Sequence, residues 1–542
     1  MSAQTDVLAL WRHWPVANAW QRITALFGGN NKDLWPWWDG RHNGIDFSAK
    51  PGEPVFAVRD GRVFEVRYDA NGYGNYLKLG DNASHLLYAH FSQVVVKDGD
   101  FVRAGDVLGY AGATGNATGV HVHIGMRIPE QPRRGDEMDG WINPLPWVWE
   151  LLLRPHNFKL SDHWVPYHRG EYDLEVLRRW APPVMKLLDR GYSDPDVMRL
   201  VVEVAESAGS IIVLRNHPLS EQHNDLFRDP VGFGEHVARD WVKTLEDIEK
   251  NIGRTLPRHL IGVEGVNEPP EWWFGLAGPE QRHGADVIAR SHAAFAQECI
   301  RHNLIPVGPN LSVGWPGNGG VAEKPPHWHA YEAMRQPFLR AGGIVATHEY
   351  ALGAKDWQGA RWDMELGWRI GRYARRYDQS PPWTGTFSII TETGIDNGKV
   401  GWRGLGFTEQ EYMEFLKELD GVYMQDPFVL GACVFSRDGA KDPWWQFYIQ
   451  MPQLMELLVA YADERRALYD ADAIFGAADD GGGADGAGDA GGDVGGDSGG
   501  AAGGPGGAEN GENEDGDMRM WMEALEERVA ALEAWAGAFG ED

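Results

Sequence analysis

The chain has 542 residues, a formal net charge of −29, two cysteines and 43% hydrophobic residues. This length exceeds what one hydrophobic core normally supports, so two or three domains are expected. The acidic balance argues against a nucleic-acid partner, which would require basic patches. Two cysteines cannot form a disulfide framework, and no apolar run is long enough to predict a transmembrane helix.

Residues 1–40 form a tryptophan-rich N-terminal segment with six of the 25 tryptophans of the chain. Such flat apolar side chains suit cores, interfaces and sugar binding alike. The segment is therefore compatible with packing over a groove or with binding a partner. The start "MSAQTDVLALWRHW" lacks a basic region followed by an apolar one, so we predict no secretory signal peptide.

Short alternating strands separated by glycine turns predict an antiparallel β-domain over residues 41–152. The strands are expected in stretches such as "GEPVFAVRDGRVFEVRYD", "NYLKLG", "HLLYAHF", "DVLGYAG" and "VHVHIGMRI". D-G, N-G and D-N pairs mark the turns between them. The stretch "WINPLPWVWELL" then closes the unit.

Strands alternate with helices over residues 160–470, which predicts a parallel α/β fold and favours a (β/α)8 TIM barrel. The strands are expected at 210–216, 260–268, 304–310, 343–350, 387–394 and 429–436. If "VMKLLD" is the first strand and 210–216 the second, a third must lie within 216–259. That interval is the weakest part of the strand count.

The C-terminal region divides into a linker and a helix. Residues 475–517 are rich in Gly, Asp and Ala, and 478–517 hold eleven acidic side chains and no basic one, so we predict a disordered, self-repelling linker. In 518–540, apolar residues follow a 4-3-4-3-4 spacing from Met518 to Ala536, the seam of a short coiled coil. The helix could form homo-oligomers, or it could dock on the body of the protein.

Histidines and one aspartate form the first candidate site. "RHNGIDF" holds His42 and Asp46, "LLYAHF" holds His90, and "GVHVHIG" holds His121 and His123. Alternate residues of a strand project to the same face, so the last two imidazoles should lie side by side. Catalytic zinc needs about three protein ligands and one open position. Surface histidines on a metal-free β-domain are the alternative.

The order H-N-G-I-D-F, Y-A-H-F and G-x-T-G-x-x-T-G-x-H-x-H resembles the lysostaphin/LytM-type zinc endopeptidases. The resemblance covers roughly residues 20–150. It implies that Zn2+ is bound by His42, Asp46 and His123. It also implies that His90 and His121 do not bind the metal but activate the attacking water and stabilise the tetrahedral intermediate.

Carboxylates at the ends of predicted strands form the second candidate site. Asn267-Glu268 close one apolar strand and Glu392 closes another, where a parallel barrel has its active face. The pattern resembles, more loosely, the clan of (β/α)8 retaining glycoside hydrolases that includes cellulases. The resemblance implies Glu268 as acid/base and Glu392 as nucleophile. The substrate-binding residues that it implies are Arg215, on the second strand, Asn267, His348, Tyr350, and Trp444 or Trp445.

The first resemblance implies cleavage of a peptide bond, and the second implies cleavage of a glycan bond. One polymer, peptidoglycan, contains both. The sequence therefore predicts a bifunctional cell-wall hydrolase, and the missing signal peptide favours a phage lysin or virion-associated enzyme over a protein exported by another route. Two alternatives remain open. In one, the protein is a structural virion or surface protein whose two domains only bind cell-wall glycan. In the other, the barrel alone acts on a polysaccharide and the β-domain serves as an anchor.

Overall fold

The computed structural model describes residues 8–28, 40–82, 84–128, 140–164, 171–216, 223–268, 279–311, 331–356, 359–363, 386–396, 400–437, 446–447 and 449–469. These residues belong to one compact unit, which contains both predicted folded domains. The predicted linker at 475–517 and the predicted helix at 518–540 lie outside the described residues and remain predictions.

The β-domain is an antiparallel sheet of ten strands within the described part of the chain, as the sequence predicts. The strands are β1 (Ile23–Ala25), β2 (Ile45–Ser48), β3 (Pro54–Phe56), β4 (Gly61–Asp69), β5 (Gly74–Gly80), β6 (His85–Val94), β7 (Phe101–Val102), β8 (Val107–Ala111), β9 (His121–Arg127) and β10 (Trp141–Ile142). Their central order is β1-β2-β9-β6-β5-β4-β7. The strands β2, β9 and β6, which carry most of the candidate zinc-site residues, are thus neighbours.

Part of the N-terminal segment belongs to this domain. Strand β1 pairs with β2, and Leu8, Trp11 and Val16 are buried in the same apolar cluster as residues of the sheet. The backbone N–H of Arg12 donates to the carbonyl of Val58 at 2.7 Å. Trp11 is thus one tryptophan of the N-terminal segment that packs in the hydrophobic core.

The second part of the chain is a closed barrel of eight parallel strands within the described residues. They are β11 (Leu160–Trp164), β12 (Val184–Leu188), β13 (Ile211–Arg215), β14 (Ile261–Glu264), β15 (Ile305–Leu311), β16 (Ile344–Asp356), β18 (Phe387–Ile395) and β19 (Val429–Arg437). Each pairs with its successor, and β19 pairs with β11 to close the ring. A short strand, β17 (Gly359–Asp363), extends β16 as an antiparallel hairpin.

Helices follow most of these strands. They are α1 (Leu145–Leu153), α2 (Glu171–Trp180), α3 (Asp189–Ser193), α4 (Pro195–Ala208), α5 (His223–Arg228), α6 (Pro230–Ile252), α7 (Pro279–Arg301), α8 (Glu332–Ala341), α9 (Glu409–Tyr423) and α10 (Pro452–Ala467). Among the described residues, no helix is both long and apolar enough to cross a membrane.

The predicted strand count is wrong at its start. Strand β11, "LSDHW", precedes "VMKLL", so the latter is the second strand and β13 the third. The described residues between 216 and 259 form helices α5 and α6, not a strand. The polar residues of "LSDHW" hide a strand whose five residues are all buried: the His163 ring lies near Glu392, and Asp162 pairs with Arg437. Strand β14 nevertheless remains the fourth, and Arg215 ends the third strand, not the second.

Helix α1 joins the two folded parts through a shared core. All nine of its residues are buried. The Trp147 ring packs edge-on against Phe387 of β18, with centroids 5.2 Å apart. The indole N–H of Trp149 donates to the carbonyl of His259 at 2.6 Å, and the side-chain amide of Asn143 donates to the carbonyl of Ala341 at 3.0 Å. The β-domain and the barrel are therefore packed together by a helix that is buried on all sides.

Candidate zinc and carboxylate sites

Three ligand atoms converge at one end of strands β2 and β9. Nε2 of His42 lies 2.9 Å from Nδ1 of His123 and 3.1 Å from Oδ1 of Asp46, and the last two atoms are 2.9 Å apart. Neighbouring ligands of a tetrahedral zinc ion with bonds of about 2.0–2.1 Å would lie about 3.3 Å apart. All three side chains are buried. Two nitrogens and one oxygen at these distances fit a zinc site.

The orientation of the His42 ring supports this fit. Its Nδ1 lies 3.1 Å from the carbonyl oxygen of Leu26, to which a ring N–H can donate. A proton on Nδ1 leaves the lone pair of Nε2 free toward Asp46 and His123. A carbonyl or carboxylate partner of this kind is the usual support of a metal-binding histidine.

The electrostatics of the cluster keep its carboxylate ionised. Burial acts to raise the pKa of Asp46. The neighbouring His42 and the hydrogen bonds from His123 and His42 outweigh it and hold that pKa well below the usual range. Burial lowers the pKa of His123 despite Asp46. An anionic carboxylate and a neutral His123 ring are forms in which these two residues can bind zinc.

The glycine of "HNGID" lets the strands approach closely enough for the site to form. A Cβ on Gly44 would lie 2.3 Å from the carbonyl oxygen of Ile124 and 2.6 Å from Cε1 of His123. Any side chain at this position would push the His123 ring out of the cluster.

His90 and His121 flank the three ligand atoms as a second pair of imidazoles. Their ring centroids are 4.6 Å apart. The Nδ1 atoms lie 2.9 Å from the carbonyl oxygens of Thr114 and Gly119, respectively. Nε2 of His121 lies 3.7 Å from Oδ2 of Asp46, so this ring faces the cluster without joining the close triad.

The backbone at His90 is held in an unusual conformation. Its φ of 67° lies in the left-handed region, which costs energy for a residue other than glycine. The Thr114 hydroxyl donates to the carbonyl of Phe91 at 2.8 Å, and the backbone N–H of His90 donates to the carbonyl of Tyr73 at 2.9 Å.

Burial and the neighbouring imidazoles His123 and His121 lower the pKa of His90 to about 4, which favours a neutral ring near pH 7.

A known protein family matches the part of the chain that carries this cluster. The model of Peptidase family M23 matches residues 40–136. The chain carries an M23 peptidase domain. Peptidoglycan DD-endopeptidase ShyB of Vibrio cholerae serotype O1 is 35% identical over 120 residues, 22% of this chain and 28% of the relative. Lysostaphin of Staphylococcus simulans is 38% identical over 87 residues, 16% of this chain and 18% of the relative.

Solved structures are also similar to part of this chain. The crystal structure of a zinc-containing peptidase from Vibrio cholerae is 31% identical and covers 25% of this chain and 39% of that one, with a TM-score of 0.20. The chain thus spans well under half the length of these relatives, and the likeness concerns the M23 domain.

Side chains from barrel strands β16 and β18 and from the turn after β14 form a second site. One oxygen of Glu268, one of Glu392 and a ring nitrogen of His348 lie within 4.8 Å of one another. Nδ1 of His348 is 2.9 Å from Oε1 of Glu268 and 3.5 Å from Oε2 of Glu392. The two carboxylates are therefore close enough to act on one bond.

The two carboxylates have different surroundings. The Glu268 side chain is 47% exposed, whereas that of Glu392 is 9% exposed. Nη1 of Arg215 donates to Oε1 of Glu392 at 3.2 Å, and the Tyr350 hydroxyl donates to Oε2 at 3.1 Å. Burial favours the protonated form of Glu392. The charges on His348 and Lys186 and the bond from His163 outweigh it and hold the pKa well below normal.

Sequence reasoning missed two residues of this second site. Nζ of Lys186 on β12 lies 3.5 Å from Oε1 of Glu392 and 3.2 Å from Oε1 of Glu264. Nε2 of His163 on β11 lies 3.6 Å from Oε1 of Glu392. Both side chains are fully buried. A lone lysine inside the apolar "VMKLL" was the available signal.

The remaining predicted residues have mixed outcomes. Asn267 is buried next to Glu268, while Trp444 and Trp445 lie outside the described residues. His85, a further histidine of the β-domain, is buried, with its ring centroid 5.8 Å from that of Trp141.

Proposed function

We propose that the M23 domain is a zinc-dependent endopeptidase that cuts the peptide cross-links of peptidoglycan. The observation that carries this proposal is the convergence of His42 Nε2, Asp46 Oδ1 and His123 Nδ1 within 3.1 Å of one another. The names of several relatives, a DD-endopeptidase and a glycyl-glycine endopeptidase among them, describe hydrolases of such peptides. The protein would then act outside the cytoplasm, on the cell wall.

The residues of the M23 domain divide into two roles. His42, Asp46 and His123 would hold zinc, which supplies a Lewis acid that polarises the scissile carbonyl. His90 and His121 lie beside the triad with their Nδ1 atoms directed to carbonyl oxygens. Each ring can therefore use Nε2 to accept or return a proton. One would take the proton of the attacking water, and the other would donate to the developing oxyanion.

Digestion of purified peptidoglycan tests this proposal. Mass spectrometry of the fragments from wild type should show peptide cuts that disappear on chelation and in His123→Ala. An exposed histidine on helix α6, His236, offers the matched control His236→Ala, which should cut as wild type does. Peptide cuts that survive both chelation and His123→Ala would refute the zinc-peptidase assignment.

We propose, as a second function, that the barrel is a retaining glycosidase. One carboxylate oxygen of Glu268 lies within 4.8 Å of one of Glu392, which is closer to the separation of about 5–5.5 Å in retaining enzymes than to the roughly 6.5–9.5 Å of inverting ones. Glu392 is ringed by Arg215, Lys186 and Tyr350, which suits an ionised nucleophile. Glu268 is half-exposed and bonded to His348, which suits a group that exchanges a proton with the leaving oxygen and then with water.

Release of reducing sugar from cell-wall glycan tests the barrel separately. Glu392→Ala should abolish it, while leaving the peptide cuts of the M23 domain unchanged. Undiminished release in Glu392→Ala would place the nucleophile elsewhere. If wild type releases no reducing sugar but binds the glycan, the barrel is a binding module, and the peptidase proposal is unaffected.

Two expectations remain predictions about the rest of the chain. Phage or virion origin is one, and self-association through residues 518–540 is the other. Neither is needed for the two proposed activities. Sedimentation of the full chain beside a chain ending at residue 474 would test the second.

A further inference from the structure

The three proposed zinc ligands are supported differently. Asp46 and His123 belong to paired strands of one sheet, but His42 precedes strand β2. Two contacts with the segment 26–28 support it instead. Its Nδ1 lies 3.1 Å from the carbonyl oxygen of Leu26, and its own carbonyl accepts the backbone N–H of Gly28 at 2.8 Å. The position of His42 therefore depends on where segment 26–28 lies.

Segment 26–28 lies against the barrel. Phe27 is buried in the same apolar cluster as Cys299 and Ile300 of helix α7. Gly28 has a φ of +89°, and a Cβ there would lie 2.3 Å from the carbonyl oxygen of Ile300 and 3.0 Å from its Cγ2. The backbone of the segment thus approaches helix α7 as closely as only a glycine permits.

We propose that helix α7 of the barrel positions the zinc ligand His42 through the contact between Gly28 and Ile300, so that the metal affinity of the M23 domain depends on the barrel. The link has three steps. Ile300 sets the place of Gly28, segment 26–28 sets the place of the Leu26 carbonyl, and that carbonyl sets the His42 ring. Partners in the outer shell of a metal site typically change affinity by about 10- to 100-fold.

This proposal rests on the zinc-site assignment within the proposed function. Its test measures metal binding by the full chain without any substrate. If the protein fails to cut peptidoglycan, the proposal about His42 still stands. If the proposal about His42 fails, the peptidase proposal still stands.

The first test is Gly28→Ala, with zinc affinity measured by competition with a chromogenic chelator. The added methyl group must displace segment 26–28 from helix α7, so affinity should fall by about 10- to 100-fold. Gly52→Ala is the matched control, because Gly52 also has positive φ, +77°, but a Cβ there meets nothing within 4 Å. Its zinc affinity should stay within about twofold of wild type.

The second test changes the barrel alone. Ile300→Ala removes the side chain against which segment 26–28 rests and should weaken zinc binding by about 2- to 30-fold. Arg290→Ala on the same helix is its control, since Arg290 is exposed and pairs with Asp286. The visible absorption spectrum of bound Co2+ should change in Gly28→Ala and Ile300→Ala, because it reports ligand geometry, and should stay unchanged in both controls.

Wild-type affinity and an unchanged Co2+ spectrum in both test variants would overturn the proposal. So would an equal loss in Gly52→Ala, which would show that backbone strain alone weakens the site. If circular dichroism of metal-free Gly28→Ala shows that it does not fold, Ile300→Ala decides the question.

Discussion

Asp46 and His123 stand directly opposite each other on strands β2 and β9, and Oδ1 of the first lies 2.9 Å from Nδ1 of the second. The side chains of such a cross-strand pair leave the sheet on the same face. The sheet register thus brings the carboxylate and the imidazole together before any metal binds. The sheet alone therefore positions two of the three proposed ligands.

Asp46→Asn should lower zinc affinity by more than about 100-fold, beyond the range typical of outer-shell changes. The amide keeps the size of the carboxylate but loses its charge, and Asp46 is the only anionic member of the proposed ligand set. Metal content after dialysis against a chelator measures the effect, with His236→Ala as control. Stoichiometric zinc in Asp46→Asn would contradict the assignment.

His90→Ala and His121→Ala should keep zinc but lose activity. Their rings lie beside the close triad, and loss of a positioned acid or base typically costs about 100- to 10,000-fold in rate. Zinc content and cleavage of a soluble cross-link peptide should be measured on the same samples. If either variant loses its zinc instead, that histidine is a ligand and the division of roles is wrong.

Lys186→Met should shift the acid limb of the barrel's pH–rate profile to higher pH. Although burial opposes ionisation, His348 and Lys186 hold the pKa of Glu392 well below normal, so its carboxylate is ionised above that low value. Without the Lys186 charge, the pKa rises and the ionised fraction in weak acid falls. Reducing-sugar release from about pH 3 to 8 measures the shift, with Lys186→Arg as the charge-preserving comparison.

The same substitution should destabilise the barrel, because it leaves the buried Glu264 without the ammonium 3.2 Å away. Breaking a buried pair typically costs about 3–5 kcal/mol. Adding Glu264→Gln to Lys186→Met should recover much of that loss, since no unpaired charge then remains. A double variant no more stable than the single one in urea unfolding would show that the pair does not carry this energy.

Stability should fall as the pH drops from about 6.5 to about 4. Burial lowers the pKa of His156, His259 and His292 to about 4 in the folded protein. Over that range the unfolded chain binds protons that the folded chain excludes, so each such histidine costs about 1.4 kcal/mol per pH unit. Above 6.5 the rings are neutral in both states, and this contribution is complete.

His292→Gln tests this prediction against wild type, because the difference between them cancels any pH dependence of zinc binding. His292 is fully buried, with its Nδ1 3.0 Å from the carbonyl oxygen of Ile288. The free energy of unfolding should be measured with urea at pH 7.5, 6.5, 5.5 and 4.5. As the pH falls, it should decrease less steeply in the variant than in wild type, by the equivalent of about one bound proton. Equal slopes would mean that His292 takes up a proton while folded.

Local patterns in the sequence were sufficient to predict the type of each fold and to collect the candidate zinc residues, whereas their division into ligands and flanking histidines came from the family resemblance. Period-two strands with glycine turns predict the antiparallel domain, and the order of the H-x-x-x-D, Y-A-H-F and H-x-H motifs carries the resemblance to the family whose model matches residues 40–136. The strand count of the barrel failed because β11 carries Ser161, Asp162 and His163, whose polar side chains conceal a fully buried strand. A pattern based on hydrophobicity cannot find a strand whose buried polar side chains have their partners far away in the chain, as His163 has Glu392 and Asp162 has Arg437.

The sequence by itself determined which residue types could bind zinc and which strand ends carry carboxylates, because these depend on neighbours along the chain. Only the tertiary structure decided that Lys186 and His163 lie against Glu392, and that Gly28 rests on Ile300. Those contacts join residues more than 200 positions apart. These contacts form only when the barrel closes and the two domains pack together, and neither event produces a periodic pattern in the sequence.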